Sequence, residues 1–285
     1  MLVKRYDVIH VQSPYYSFMP WLIRRKFVST LHVNDLVRCF YYKKATHLIA
    51  ISKETRAYAM SLYGYNENDI SIVNHGVSLT FSTLLTNDEK YREKVKRAIP
   101  VDKLIIGFVG SIEKRKGHDL LLRAISIMPE SCRRRVHVIF VGSSKDGKTN
   151  EWLLQQIEMN HAAPWVSLFP YQDPKIFYKL FDIFVLPSRL EGYPLVVVEA
   201  MLSGCCCVRS NTEGASEQIE HGVDGMIFEN ENVQHLSDEL RLLIEDEELR
   251  HKLATAGRDK ALKKFTNTEM AKQTLSVYNK VIHEY

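Results

Sequence analysis

Short apolar runs alternate with longer amphipathic segments along this chain of 285 residues. The apolar runs are rich in β-branched residues and too short for buried helices, so they predict β-strands. Four of them precede residue 90, at 7–11, 27–33, 46–52 and 70–77. Six more follow, at 104–110, 135–142, 165–170, 183–188, 205–210 and 225–228. Helical patterns separate most of these runs, and repeated strand–helix units predict parallel sheets with helices on both faces.

A charged segment at 86–100 divides the two sets of strands. Thr86 and Glu89 have the spacing of a capping box and Pro100 ends the segment, so a helix is predicted here. The predicted organisation is an N-terminal α/β domain at 1–90 and a second α/β domain at 91–265. A last helix at 266–285, after a break at 265–268, is predicted to pack back toward the first domain.

Composition adds broad limits. Hydrophobic residues make up 45% and charged residues 25%, which is typical of a globular protein. The net charge of +4 is too small to argue for a nucleic-acid partner. No apolar run approaches the ~20 residues needed to span a bilayer, and we expect no signal peptide. The cysteines lack CxxC spacing and are expected to be buried, reduced thiols of a cytoplasmic protein: Cys39, Cys132, Cys205, Cys206 and Cys207.

A basic loop follows the first strand of the second set. Gly110 and Gly117 bracket it, Arg115 and Lys116 lie within it, and a helix is predicted to begin near His118. Helix N-termini attract anions through their free amides and the helix dipole. The loop matches neither the Walker pattern nor GxGxxG, so phosphate binding and an ordinary solvated basic loop both remain open.

Two glutamates follow the fourth strand of this set, in SRLEGYPLVVVEAMLSG at 188–204. Pro194 suits the first turn of a helix that Gly204 closes, so Glu191 lies in the loop and Glu199 inside the helix. The helical rise of ~1.5 Å per residue separates the two by roughly 10 Å, which argues against an acid–base pair. A surface glutamate and a helix-face glutamate are the alternative. The amides expected to face the site, and to suit an anion or sugar hydroxyls, are those of Gly192, Tyr193 and Leu195.

Several ordered motifs together resemble the signature of retaining glycosyltransferases of the GT-B fold, in glycosyltransferase family 4. They are PSRLEGYPLVVVEAMLSGCCCV followed by EGASEQIEHGVDGMIF, the phosphate-loop-like GFVGSIEKRKGHDLLLRAI, and NHGVSLTF, which resembles the link between domains. The resemblance covers most of the chain. It implies two Rossmann-like, doubly wound parallel-sheet domains, of which the N-terminal, acceptor-side one is incomplete.

The resemblance also implies roles for individual residues. Glu191 takes the place of a glutamate that contacts donor-sugar hydroxyls, and Glu199 that of a glutamate that binds the nucleotide ribose. Lys116 matches a lysine that binds the diphosphate. His32 fits less closely a histidine that approaches the donor sugar, and a lone histidine at a strand end is as often structural. The remaining implied donor-binding residues are Gly110, Ser111, Arg115, Gly192, Tyr193, Pro194, Leu195 and Val196, with Phe169 and Tyr171 near the base.

The implied reaction moves a hexose from a nucleotide diphosphate sugar, expected to be a UDP-sugar, to a glycan or lipid-linked acceptor with retention of configuration. Lys116 and Arg115 would stabilise the leaving diphosphate. No metal or other cofactor is expected. Ser111 is a departure, because family members have an arginine there, and Arg115 is the expected substitute. A sugar epimerase of the same fold is an alternative that would lack the spacing of Glu191 and Glu199.

A second departure concerns the N-terminus. The first three strands of the family's first domain have no counterpart before the strand at 7–11. That strand would then be an exposed sheet edge, which favours self-association or pairing with a partner chain. A truncated reading frame is a further explanation. The alternative function is therefore a non-catalytic or partner-dependent nucleotide-sugar-binding subunit.

The segment FMPWLIRRKF at 18–27 places aromatic residues beside three cations. It suits either a membrane interface or a helix packed on the sheet with solvated cations. The expected location is cytoplasmic, with peripheral contact at the inner face of the membrane in the first case.

Overall fold

The computed structural model describes residues 6–34, 42–144 and 147–284. The chain divides into two compact units, Met1–Gly76 with Lys264–Tyr285 and Val77–Lys263. The division therefore falls at Gly76–Val77, before the predicted join near residue 90. The reason is that the intervening segment packs within the second unit. Ser203 donates a hydrogen bond to the Phe81 carbonyl at 3.1 Å, and Arg258 donates one to the Ser82 carbonyl at 2.9 Å.

The described residues form ten strands and twelve α-helices. The strands are β1 (Ile9–Val11), β2 (Phe27–Leu31), β3 (His47–Ala50), β4 (Ile70–Ile72), β5 (Leu104–Val109), β6 (Val136–Val141), β7 (Val166–Phe169), β8 (Ile183–Leu186), β9 (Cys206–Ser210) and β10 (Met226–Phe228). The helices are α1 (Phe18–Leu22), α2 (Lys53–Tyr63), α3 (Asn87–Lys96), α4 (His118–Ser126), α5 (Glu130–Arg133), α6 (Gly147–Met159), α7 (Lys175–Tyr178), α8 (Leu195–Leu202), α9 (Ala215–Gln218), α10 (Val233–Glu245), α11 (Glu247–Lys264) and α12 (Asn267–His283).

The first unit contains a parallel sheet in the order β1-β2-β3-β4. Its two faces are covered by helices from distant parts of the chain. On one face α2 packs through Ala59 and Tyr63 against Leu31 and Leu48. On the other face α12 packs through its buried side chains, so the C-terminal helix belongs to this unit. The core on that side consists of Val28, Ile49, Val73, Val277 and Val281.

The second unit contains a six-stranded parallel sheet in the order β10-β9-β8-β5-β6-β7. The sequence order reverses between β5 and β8, which are neighbours in the sheet. In open parallel sheets such a reversal leaves a crevice at the carboxyl ends of the two strands. The loops after β5 and β8 meet at this crevice.

All ten predicted strands occur, and each is one or more residues shorter than its apolar run. The capping box of α3 is present, with Thr86 and Glu89 bonded to each other as the spacing predicts. Helix α10 was not among the predicted elements. Its buried positions Leu236, Leu240 and Leu243 have helical spacing, so the signal for it exists in the sequence. Among the described residues, no helix combines the length and the hydropathy that crossing a membrane requires.

Candidate active site

Two loops of the second unit form the site. After β5 the chain runs through Gly110 to a 3₁₀ turn, Lys114–Lys116, and then to Gly117, where α4 begins. Gly117 has φ 76°, and a Cβ built on it would lie 1.9 Å from the carbonyl oxygen of Pro187, in the loop after β8. The two loops therefore touch at a point that admits no side chain.

The contact brings together three of the predicted residues. Lys116 Nζ donates a hydrogen bond to Glu191 Oε1 at 2.6 Å, and the two side chains are only 14% and 9% exposed. Arg115 Nη1 lies 3.6 Å from the same carboxylate oxygen and donates to the Leu190 carbonyl at 3.0 Å. A lysine ammonium has three protons, so Lys116 can bind Glu191 and still donate to an anion in the crevice.

Arg189 is a residue that the sequence analysis did not single out. Its guanidinium binds both carboxylate oxygens of Asp119, in the first turn of α4, at 2.8 and 3.0 Å. It also donates to the Lys114 carbonyl at 2.6 Å, and its backbone amide donates to the Arg115 carbonyl at 2.8 Å. Arg189 therefore fastens the loop after β8 to the loop after β5. In the sequence, only its position two residues before Glu191 could have marked Arg189, and no motif includes it.

Glu199 lies apart from this cluster, on α8. Its Oε2 accepts a hydrogen bond from the hydroxyl of Tyr178 at 2.8 Å. Burial raises the pKa of Glu199, and the bond from Tyr178 opposes that shift by stabilising the carboxylate. Glu191 and Glu199 thus have separate partners, which agrees with the prediction that they are not an acid–base pair. Tyr178 lies in a predicted helix and carried no motif that marked it.

The segment between the two glutamates presents backbone amides. Within the described part of the chain, the amides of Gly192, Leu195 and Val196 donate no hydrogen bond, as expected for residues at a helix N-terminus. Gln218 stabilises this turn, because its side-chain nitrogen donates a hydrogen bond to the Pro194 carbonyl at 2.9 Å. These amides and the two cations are the groups in the crevice that could bind an anion.

Comparison with known sequences agrees with this geometry. Residues 89–260 match the profile of the family described as Glycosyl transferases group 1, and residues 1–81 match that of Glycosyltransferase Family 4. The chain belongs to the group 1 glycosyltransferases. This group 1 glycosyltransferase is 28% identical to the capsular polysaccharide biosynthesis glycosyltransferase CapM of Staphylococcus aureus, over 84% of the chain and 63% of CapM. It is also 28% identical to the N,N'-diacetylbacillosaminyl-diphospho-undecaprenol alpha-1,3-N-acetylgalactosaminyltransferase of Campylobacter jejuni, over 88% of the chain and 64% of that protein.

Among solved structures, that of Alr3699/HepE from Anabaena in complex with UDP superposes on this glycosyltransferase with a TM-score of 0.86. The match has 20% identity and covers 96% of the chain and 79% of HepE. It establishes the fold, two parallel-sheet α/β domains of the GT-B class. The glycosyltransferase spans less than two thirds of the length of both curated relatives named above.

Three further predicted residues have partners other than Lys116 and Glu191. Ser111, in place of the family's arginine, is bonded to Glu113, and this bond contributes most to lowering the pKa of the Glu113 carboxyl. Phe169 ends β7 and packs against Phe177, with ring centroids 4.8 Å apart. Tyr171 is 84% exposed, and its amide donates to Ser143 Oγ at 2.9 Å. The ring of Tyr171 is thus open to solvent at the carboxyl edge of the sheet.

His32 belongs to the first unit. It follows β2 and lines a cavity of about 460 Å³ that also includes His10, His75 and Tyr278. Its ring stacks on that of His75, with centroids 5.1 Å apart, and its Nε2 is 3.2 Å from Gln12 Oε1. Burial lowers the pKa of the His32 imidazole, which favours the neutral form.

Proposed function

We propose that the chain binds a nucleotide diphosphate sugar, a UDP-sugar, between the loops after β5 and β8. It then transfers the hexose to a glycan or lipid-linked acceptor with retention of configuration. The observation that carries the proposal is the largely buried contact of Lys116 with Glu191, 2.6 Å long, at the point where the strand order reverses. The family supports transfer, and the UDP bound to HepE supports the choice of nucleotide.

In the proposed reaction, negative charge develops on the leaving diphosphate as the bond to the sugar breaks. Lys116, Arg115 and the free amides at the start of α8 stabilise that charge. Fixed donors in a crevice stabilise such charge more than water does, because they need no reorganisation as the bond breaks. Two cations at the diphosphate take the place of a metal ion, so we propose a metal-free reaction.

The two glutamates have separate functions in this proposal. Glu191 accepts hydrogen bonds from hydroxyls of the donor sugar, and Glu199 accepts them from the ribose. The proton of the acceptor hydroxyl passes to an oxygen of the leaving phosphate, on the same face of the sugar. No second carboxylate is required, in contrast to glycosidases that work through a carboxylate pair.

We also propose that His32, in the first unit, interacts with a sugar hydroxyl. A neutral imidazole can donate to or accept from a sugar hydroxyl without placing a charge beside the leaving group. The lowered pKa of His32 supports this function at neutral pH.

We propose a glycan or lipid-linked acceptor on the cytoplasmic side of the membrane. CapM, named for capsular polysaccharide biosynthesis, and the Campylobacter enzyme, named for a diphospho-undecaprenol substrate, support this choice. The cysteines are consistent with a reducing compartment, because all four in the described residues are buried and unpaired: Cys132, Cys205, Cys206 and Cys207.

A thermal-shift screen of nucleotide diphosphate sugars tests the donor. A ligand at 100 times its Kd stabilises the folded state by about 2.7 kcal/mol, which raises the melting temperature. We expect UDP and at least one UDP-sugar to raise it more than the corresponding GDP compounds. Equal or absent shifts for the whole panel would contradict the proposal.

The variant Glu191→Gln tests whether Glu191 contacts the donor sugar rather than the nucleotide. It keeps the shape of the side chain but removes its charge, so we expect UDP to bind at least as well while transfer falls. Glu113→Gln is the matched control, because Glu113 also pairs with Arg115, at 3.3 Å, but its side chain is 37% exposed against 9% for Glu191. Unchanged transfer by Glu191→Gln would remove this glutamate from the proposed site.

A second candidate function is a nucleotide-sugar-binding subunit that needs a partner chain. The observation that favours it is the edge of the first sheet, because β1 pairs only with β2 among the described residues. An unpaired edge can accept a strand from another chain or a second copy. Donor hydrolysis and transfer by the purified, monodisperse monomer would exclude this candidate. Activity that appears only with a second protein would favour it.

A further inference from the structure

The connection between β1 and β2 carries an unusual concentration of exposed apolar side chains. It runs through a 3₁₀ turn, Pro14–Ser17, and then through α1. Ser17 and Pro20 point inward and are buried. The outward side presents six of the 25 large hydrophobic side chains that are exposed in the described residues, within a stretch of nine: Tyr15, Tyr16, Met19, Trp21, Leu22 and Ile23. Single exposed hydrophobic residues are ordinary on protein surfaces, whereas a contiguous group indicates an interaction site.

Three consecutive cations follow directly, Arg24, Arg25 and Lys26, and all three are exposed. We call the six apolar residues and these three cations the aromatic–basic surface. A further cation lies against it, because Lys43 Nζ is 4.5 Å from the centroid of the Trp21 ring. Residues 8–34 contain no Asp or Glu, so no carboxylate within this stretch offsets the charge.

Basic residues are concentrated in the first 45 positions of the sequence. Residues 1–45 contain eight Lys and Arg and two Asp, a net charge of +6, whereas the whole chain has 38 basic and 34 acidic residues and a net charge of +4. The remaining 240 residues therefore have 30 basic and 32 acidic residues, a net charge of −2. Electrostatic attraction to an anionic surface would therefore favour contact through the cations of the aromatic–basic surface.

We propose that the aromatic–basic surface docks on an anionic lipid bilayer. Trp and Tyr are the side chains that suit the boundary between headgroups and acyl chains, and Leu, Ile and Met can enter the apolar layer beneath. The neighbouring cations attract anionic headgroups, and clustered Lys and Arg beside apolar residues are typical of lipid-binding segments. The proposal does not rest on the transfer reaction, since it concerns lipid binding alone.

Vesicle sedimentation tests the proposal directly. The full chain is mixed with vesicles of phosphatidylcholine, with or without phosphatidylglycerol, and the bound fraction is measured. Each cation near an anionic membrane surface contributes about fivefold to the partition coefficient. We therefore expect Arg24→Gln, Arg25→Gln and Lys26→Gln together to weaken binding by on the order of a hundredfold. High salt should weaken binding by the wild-type chain as well, because it screens the cations.

The matched control is another run of three basic residues, Arg133, Arg134 and Arg135, in the other unit. Replacing all three with Gln removes the same charge, and in each triplet one arginine donates to a backbone carbonyl. We expect this control to bind vesicles as the wild-type chain does. If both triple variants lose binding equally, or if the wild-type chain prefers neither vesicle type, the proposal is wrong.

The apolar part of the surface has its own test. Trp21 is the only one of the three tryptophans in the exposed class, so its fluorescence should shift to the blue when anionic vesicles are added. Trp21→Ala with Leu22→Ala should weaken binding, whereas Leu154→Ala with Met159→Ala, an exposed pair on α6, should not. A wild-type chain that forms dimers without vesicles, and that Trp21→Ala converts to monomers, would assign the surface to a second copy and overturn the proposal.

Discussion

The close approach of the two loops makes Gly117→Ala a sharp test of how the site is built. A methyl group at this position would lie 1.9 Å from the Pro187 carbonyl oxygen, whereas real Cβ contacts essentially never fall below 3.0 Å. One loop must therefore move by more than 1 Å. Lys116 and Glu191 are on opposite sides of this contact, so their separation must change as well.

The expected cost has two parts. An alanine with φ 76° is in the left-handed region, at a cost of about 1–2 kcal/mol. The clash with Pro187 adds about 1–3 kcal/mol as an overpacking penalty. The free energy of unfolding should thus fall by roughly 2–5 kcal/mol. A displacement of about 1 Å in catalytic groups can lower the rate by roughly 100-fold, and we expect a loss of that order in transfer.

Gly222→Ala is the matched control, because Gly222 lies in the same unit and has the same φ of 76°, but nothing lies within 4 Å of its would-be Cβ. Gly222→Ala should lose only the backbone contribution of about 1–2 kcal/mol to the free energy of unfolding. It should transfer at nearly the wild-type rate. Denaturant unfolding and initial rates with a UDP-sugar measure both quantities. Equal losses in the two variants would show that the contact with Pro187 is unimportant and would refute this account of the site.

The remaining predictions concern the contacts that Arg189 makes between the two loops, the requirement for a metal ion and the pH dependence of stability. Arg189→Ala should lower the free energy of unfolding by about 2 kcal/mol and raise the donor KM, because charge-assisted bonds to Asp119 are lost. Arg241→Ala, which breaks an exposed ion pair 3.7 Å long, should cost less than about 1 kcal/mol, and an equal effect would contradict the role of Arg189. EDTA should leave transfer unchanged, and inactivation that Mg²⁺ restores would show that a metal takes part. Burial lowers the pKa of His10, His32 and His75 from 6.5, so the unfolded chain takes up protons first as the pH falls. Their contribution to stability is present above pH 6.5 and is lost as the pH falls through their folded-state pKa values. Urea unfolding on either side of pH 6.5 measures the loss, which should shrink in a His10→Gln, His75→Gln variant.

The pattern of apolar runs was sufficient to predict the parallel sheets because parallel strands are buried on both faces and read as continuous hydrophobic segments. It was less informative about boundaries. Segment 77–90 has no long apolar run, and its assignment to the second unit depends on contacts such as the hydrogen bonds that Ser203 and Arg258 donate to the carbonyls of Phe81 and Ser82. Such contacts join residues more than a hundred positions apart, which no local pattern encodes.

The same distinction applies to the site. That Lys116 and Glu191 lie at the same edge of the sheet could be predicted, because each stands in a local motif after a strand and adjacent strand ends bring the motifs together. The contacts of Arg189 and Tyr178 could not be predicted, because their partners, Asp119 and Glu199, lie in distant segments. Arginine in a loop and tyrosine in a helix are common, so neither residue type marks its position.

The central claim is that Lys116 binds the diphosphate of the donor. The most direct measurement is calorimetric titration of UDP into the wild-type chain, Lys116→Ala and Lys114→Ala. Both variants remove one lysine from the same 3₁₀ turn, but only Lys116 bonds to Glu191 across the crevice. A charge-assisted bond is worth about 1.5–3 kcal/mol, so Lys116→Ala should raise the Kd by at least about tenfold. Lys114→Ala should leave the Kd nearly unchanged. Equal affinity of Lys116→Ala and the wild-type chain would contradict the account.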